Sequence, residues 1–308
     1  MNRIQRITPK NRDEWLALRT RDVTSTESAA LFGLSPYLTN FELWHTKRSG
    51  EIHEIDENER MIWGIRLQDM IAKGFAADQG WKVRKLNQYI RDSETRMGSS
   101  FDFEIIGHVD GPGIMEVKNV DRLAYRDGWV EEGANIEAPP HIEIQVQHQL
   151  RVADRRWTML VALVGGNQIK ATRRDRDNKI GELILEKVAD FWSSLDAGTP
   201  PEPNYVLDAR FISRLYRDVA EGKVIDARQN DLMASLAAKY TAISREAAAI
   251  NDKKKAIKAE LLTEIGDAEK VLLSNATISA KKVEATDIAY TRDGYRDFRV
   301  IPKREKTS

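Results

Sequence analysis

The stretch that most limits how this chain can fold is residues 111–120, GPGIMEVKNV. Ile114, Met115, Val117 and Val120 mark a buried strand, yet Glu116 and Lys118 sit two apart and therefore on one face of it. Burying either charge unpaired costs several kcal/mol, so the pair is either a structural ion pair or part of a site. The preceding stretch, GSSFDFEIIGHVDGPG, reads as a second strand and a turn. In an antiparallel hairpin the numbers of opposed residues keep a constant sum, so a turn centred on Val109 sets Asp102 across from Glu116 and leaves Asp110 in the turn. Asp102, Glu116 and Lys118 are thus expected on one patch.

Two carboxylates a few ångströms apart repel each other unless a divalent cation lies between them. Oxygen ligands with no Cys or His nearby suit Mg²⁺, with Mn²⁺ as a substitute, and do not suit zinc. A lysine beside such a cation can hold or deprotonate an attacking water and neutralise charge on a pentavalent phosphorus. The metal supplies Lewis acidity and a water of lowered pKa. Phosphodiester hydrolysis fits this set better than proton abstraction or glycoside cleavage does.

The rest of the chain reads as α/β. TSTESAALFG opens with Thr24 and carries Glu27 three residues on, a capping-box pattern that ends at Gly33. A second helix starts near Thr39 and stops at Gly50, and a third, MIWGIRLQDMIAKGFAADQG, ends at Gly80 with Ile62, Leu67, Met70, Ile71 and Phe75 at helical spacing. WKVRKLNQYI is expected to be one strand, PPHIEIQVQHQLRVAD precedes a strand, a Gly-Gly turn and another strand, and KIGELILEKVADFWSSLDAG is an amphipathic helix. TPPEPNYV marks a boundary, giving expected domains 1–205 and 206–308. The second would hold a long charged helix over 228–264 with Leu232, Leu236, Tyr240, Ile243, Ala247 and Ile250 three and four apart, then short strands and a basic tail.

Charged residues make up 31% of the 308 and balance to zero net charge, so nucleic-acid binding would rest on local patches. The absence of cysteine excludes disulfides, Cys-ligated zinc and iron–sulfur clusters. No run reaches the roughly 18 apolar residues of a membrane helix, and MNRIQRITPKNRDEW has no apolar leader segment, so a soluble intracellular protein with no membrane partner is expected.

The order of the motifs resembles the nuclease family of lambda exonuclease and YqaJ-like viral recombinases, in the restriction-endonuclease-like superfamily marked by Asp, then Glu-x-Lys. WLALRTRDVTSTESAALFGLSPY looks like its N-terminal block, WGIRLQDMI like its glycine-containing helix, SSFDFEI with GIMEVKNV like its metal motif, and IEIQVQHQL like its Gln-x-Gln motif. These pieces span roughly residues 12 to 177, and GYRDFRVIP looks like C-terminal ends of phage members. The resemblance implies a central mixed β-sheet flanked by helices, with a C-terminal helix and small β extension appended. It implies metal ligands in Asp102, Glu116 and the Val117 carbonyl, Lys118 acting on the water, and Gln145 by the active site on a helix. Arg19 would meet a DNA phosphate with Thr26 close by, which suits a helix N-terminus that offers free N–H groups to an anion. Gln68 stands where relatives present a glutamate near the metal, a weaker ligand, and Phe101 replaces a proline before the aspartate.

The activity so implied is a Mg²⁺-dependent exonuclease degrading duplex DNA from its ends, 5′ to 3′, leaving 3′ single strands for an annealing protein in phage-type recombination. A trimeric ring and the cytoplasm of a bacterial host also follow from the resemblance. Gln68 and the long polar helix leave two alternatives: a catalytically weakened DNA-end-binding or scaffolding protein, or an endonuclease of the same superfamily. Lys253, Lys254, Lys255 and Lys258 offer basic contacts to DNA or a plain solvated face.

Overall fold

The computed structural model describes residues 3–50, 58–133, 135–291 and 294–301. The chain order is β1 (Ile4–Ile7), α1 (Arg12–Thr20), β2 (Val23–Thr24), a 3₁₀ turn (Ser28–Phe32), α2 (Asn40–Ser49), α3 (Glu59–Asp78), β3 (Lys82–Lys85), β4 (Tyr89–Asp92) and β5 (Met97–Ser100). There follow β6 (Phe103–Ile106), β7 (Gly113–Val120), α4 (Arg122–Gly128), β8 (Val130–Glu132), β9 (Asn135–Glu137), α5 (Pro140–Ala153), β10 (Trp157–Val164), β11 (Gln168–Asp175) and α6 (Asn178–Asp196). Last come α7 (Ala209–Leu215), α8 (Asp231–Ile265), β12 (Lys270–Leu272) and β13 (Thr277–Ser279). The chain divides into two compact units between Phe211 and Ile212.

In the first unit, a five-stranded sheet of order β11-β10-β7-β6-β3 puts β7 at its centre. β10 runs parallel to β7, and the other pairs are antiparallel. A parallel neighbour cannot follow from a tight turn, so α4, the β8–β9 hairpin and α5 form the crossover that brings β10 back beside β7. Alternation along β7 then sorts its side chains between two covers. Met115 and Val117 pack with Ile71, Ala72 and Ala76 of α3 and with Trp157, and Ile114 joins Ile144 and Leu150 of α5 and Ile184 and Val188 of α6. The mixed sheet flanked by helices is the α/β class expected from the sequence.

A second sheet of order β1-β4-β5-β2 lies in the same unit, and it accounts for one difference from the expected elements. WKVRKLNQYI is not one strand. β3 pairs with β6 in the central sheet, β4 pairs with β1 and β5 in the other, and the intervening Leu86 N–H donates to the Asp102 carbonyl. The stretch after Gly33 folds as expected, with Thr39 capping α2 and Gly50 ending it at φ 64°. The Thr24 segment is a short 3₁₀ turn instead of an α-helix, although Glu27 does reach back to the Thr24 N–H at 2.8 Å. Met70, expected on the apolar stripe of α3, is exposed.

Gly113 opens β7 where Trp157 packs, and a Cβ there would stand 2.5 Å from the indole. Trp157 is fully buried and cannot swing aside. Gly113→Ala should therefore cost about 2–3 kcal/mol in urea unfolding, and a loss under about 0.5 would mean the ring yields freely.

In the second unit α8 runs for 35 residues from an Asn230 cap, with none of its side chains buried. β12 and β13 form a small hairpin, and no further strand follows among the described residues. The expected basic tail from residue 302 lies outside them. No described helix is long and apolar enough to cross a membrane.

Candidate active site

Glu116 and Lys118 lie on the α5 face of the central strand, and α5 answers them with amides. Gln145 and Gln149 are one turn apart and so share a helix face. Gln145 Nε2 donates to Glu116 Oε1 at 2.7 Å, and Gln149 Nε2 donates to Glu116 Oε2 at 2.8 Å. Lys118 Nζ donates to Glu116 Oε1 at 2.8 Å and to Gln145 Oε1 at 3.0 Å. Burial alone would lower the Lys118 pKa, but the carboxylates of Glu116 and Asp102 outweigh it and raise it above the ordinary value. Lys118 is thus an ammonium at neutral pH, held at the tip of two hydrogen bonds. Gln147 points elsewhere, bonding Asp175 and Asp177, so the Gln-x-Gln motif contributes one residue to the site and one to the frame.

Asp102 stands where the hairpin register requires. The pairs Phe103↔Met115 and Glu104↔Ile114 extend by one step to Asp102 and Glu116. Asp102 ends the ladder, and its Oδ2 takes the Val117 N–H at 2.8 Å. The Val117 carbonyl points to the same side of β7 as that N–H, beyond the last β6 pair, and so faces the Asp102 side of the site. Burial first, and the Glu116 carboxylate second, push the Asp102 pKa up to about 8. The Gln68 amide on α3 faces this carboxylate and pulls in the opposite direction, with Lys118 and the Val117 N–H. Asp110 lies at the turn, paired with Arg173 at 2.5 Å.

This donor set fits a hard divalent cation. No group of three or more His, Asp or Glu side chains forms a cage among the described residues. A cation of the Mg²⁺ kind needs fewer, since it keeps several waters and takes one or two carboxylates. The elevated Asp102 pKa marks a place short of positive charge, and Gln149 Oε1 is buried with no hydrogen-bond partner. Glu116 Oε1 already accepts two hydrogen bonds, whereas Oε2 accepts one from Gln149 and Asp102 Oδ2 one from the Val117 N–H, so these two carboxylates keep acceptor capacity for a cation.

The segment carrying all these groups has known relatives. Residues 14–156 match the YqaJ-like viral recombinase domain. Over 305 residues, 96% of this chain and 92% of the relative, the chain is 25% identical to the uncharacterized protein YqaJ of Bacillus subtilis (strain 168). The alkaline exonuclease LHK-Exo from Laribacter hongkongensis is similar at 20% identity and a TM-score of 0.48, over 66% of this chain and all of that one. Its complex with dAMP gives 21% identity and a TM-score of 0.47 over the same shares.

Within the matched segment, Arg19 and Thr26 do meet, the guanidinium donating to Thr26 Oγ1 at 3.3 Å. Arg19 also rests on the Trp15 ring and lies 3.7 Å from Glu27. Behind them Lys47, buried, pairs with Glu27 at 2.8 Å and donates to the Arg19 carbonyl at 2.7 Å. The 3₁₀ turn that follows docks on α5 through Ser28 and His148 at 2.5 Å. At the other end of α5, His141 precedes Gln145 by one turn, meets the Tyr37 ring edge-on at 5.8 Å, and has its pKa lowered by burial and by Lys118. Gln149, Lys47 and His141 had not been singled out from the sequence. For Gln149 and His141 the available signal was the spacing of four from Gln145.

Proposed function

We propose that this chain is a divalent-cation-dependent deoxyribonuclease that degrades duplex DNA from its ends. The observation that carries this reading is the convergence of Asp102, Glu116 and Lys118 on one sheet end, gripped by Gln145. Asp102, Glu116 and the Val117 carbonyl would hold Mg²⁺ or Mn²⁺, which when bound supplies Lewis acidity to the scissile phosphate. Lys118, as a fixed ammonium, donates to the attacking water or a phosphoryl oxygen and offsets negative charge that grows as water adds to phosphorus. Gln145 keeps that ammonium aimed, and Gln149 fixes the far oxygen of Glu116. Arg19 with Thr26 would receive a DNA phosphate, Lys47 and Glu27 setting the height of the guanidinium.

The family resemblance supports 5′-to-3′ polarity, with the 3′ single strand passed to an annealing protein in a bacterial cytoplasm. End-labelled linear duplex is the test, compared with closed circular DNA, with Mg²⁺ and with EDTA. Digestion of the linear form alone, lost in EDTA, is the expected result. Nicking of the circle would point to an endonuclease instead.

Gln68 favours a second reading, that of an end-binding protein with weakened catalysis, because an amide faces Asp102 where relatives place an acid. Gln68→Glu should then lower the Mg²⁺ concentration for half-maximal digestion about ten-fold, since a third carboxylate adds a charged ligand. An unchanged or raised requirement would show that residue 68 does not reach the metal. Binding of DNA ends with no cleavage in either Mg²⁺ or Mn²⁺ would favour the second reading outright.

A further inference from the structure

We infer that α8 is half of an antiparallel two-stranded coiled coil, completed by α8 of a second copy of this chain. The seam follows a heptad over the whole helix. Met233, Tyr240, Ala247, Lys254 and Leu261 take its first core position, and Leu236, Ile243, Ile250, Ile257 and Glu264 take the second. These apolar residues are open to solvent: Leu236 is 54%, Ile243 64%, Ile250 58% and Ile257 59% exposed. A 35-residue helix with no buried side chain has little tertiary packing among the described residues to sustain it, and such packing is how helices in proteins are normally stabilised. The chain's own Phe298 meets Tyr240 at 5.4 Å, and Val300 lies in a shallow groove with Thr241, Arg245 and Ala248. That segment packs on Tyr240 and the flank beside it, and leaves Leu236, Ile243, Ile250 and Ile257 of the seam exposed.

Charge decides what covers the seam and in which direction. The positions flanking it are Lys239, Glu246, Lys253 and Glu260, alternating in sign at seven-residue steps. None of the four has an ion-pair partner among the described residues. When a second α8 lies antiparallel, Lys239 faces Glu260 of the second copy and Glu246 faces its Lys253. The two-fold axis repeats both contacts, giving four complementary pairs. The core layers are then Leu236 with Leu261, Tyr240 with Ile257, and Ala247 with Ile250, a large residue against a smaller one at the centre. Lys254 lies across from Ile243, where its stem can cover the isoleucine while its ammonium reaches water.

A parallel pairing of the same helices fails on charge. It would set Lys254 against Lys254 and Glu264 against Glu264 in the core, and Lys253 against Lys258 at the flank. The lysine run over 253–258 thus selects the antiparallel arrangement, whatever else it contacts.

Sedimentation of the full chain tests the association, and the absence of native cysteine makes its direction testable too. Glu246→Lys sets four lysines around the axis and should weaken dimerisation about ten-fold, and Glu246→Lys with Lys253→Glu should restore it. Leu236→Cys and Leu261→Cys, mixed and oxidised, should give disulfides between the two variants, with little cross-linking of either alone. A monomer at micromolar concentration overturns the inference. So does an oligomer indifferent to Glu246→Lys, or disulfides that form only within each cysteine variant. Circular dichroism of Glu246→Lys guards against a folding artefact, since the residue is exposed in the isolated chain.

Discussion

Replacing Lys118 with methionine should lower the digestion of linear duplex at least about a thousand-fold while duplex binding stays within about three-fold. Methionine keeps much of the length of the side chain and removes its charge. What disappears is the only cation in hydrogen-bond contact with Glu116 among the described residues, along with its bond to Gln145. Binding relies instead on contacts elsewhere, of which Arg19 and Thr26 are the proposed ones, so affinity and turnover should separate. Single-turnover digestion of an end-labelled duplex measures the first quantity, and fluorescence anisotropy in Ca²⁺ measures the second. If Lys118→Met retains a tenth of the activity, Lys118 has no part in the chemistry. The same variant leaves two carboxylates without their ammonium, so its unfolding temperature should depend on added Mg²⁺ more steeply than that of the native chain.

Asp102→Asn should be as inactive, and yet more stable without metal. The free side chain has a pKa of 3.8, and burial followed by repulsion from Glu116 pushes it up to about 8 in the folded chain. The folded state therefore binds this proton more tightly than the unfolded state does. Below about pH 4 both states hold it and nothing is lost; from there up to about pH 8 stability drains away, because only the folded state pays for ionising the group. Asparagine removes this dependence. At pH 8 the variant should gain roughly 2 kcal/mol, or ~5 °C in melting temperature, a gain that shrinks toward pH 5. Millimolar Mg²⁺ should raise the melting temperature of the native chain and not that of the variant. Activity of the native chain should rise with pH through the same range, and shift to lower pH as Mg²⁺ increases. A variant less stable than the native chain at pH 8 would mean Asp102 is a structural carboxylate.

The legible part of the site was the part that obeys periodicity. Period two put Glu116 and Lys118 on one face, and the constant sum across a hairpin selected Asp102 over Asp110, which the structure pairs with Arg173. Gln149 was harder to see because an amide in mid-helix reads as a solvated position, and only the burial of α5 against the sheet makes it a ligand of Glu116. WKVRKLNQYI read as one strand because its composition is uniform. Nothing local reveals that its two halves pair with different sheets, since that choice is made by β6 on one side and by β1 and β5 on the other. The sequence of residues 121–139 shows no regular period for a related reason. α4 and the β8–β9 hairpin are short, and they are held by the stacking of Tyr125 on Trp129 and the burial of Ile136, contacts made at a distance from any regular pattern.

The two carboxylates differ in how firmly the backbone holds them. Glu116 sits in a strand that stays paired with β10 as far as Val120 and has non-titrating amides on its oxygens, while Asp102 stands just past the last rung of β6. In amide hydrogen exchange the Glu116–Lys118 stretch should be among the last to open and the Phe101–Asp102 bend among the earlier. One ligand is then a fixed reference and the other an adjustable arm, able to close on an arriving ion without disturbing the sheet.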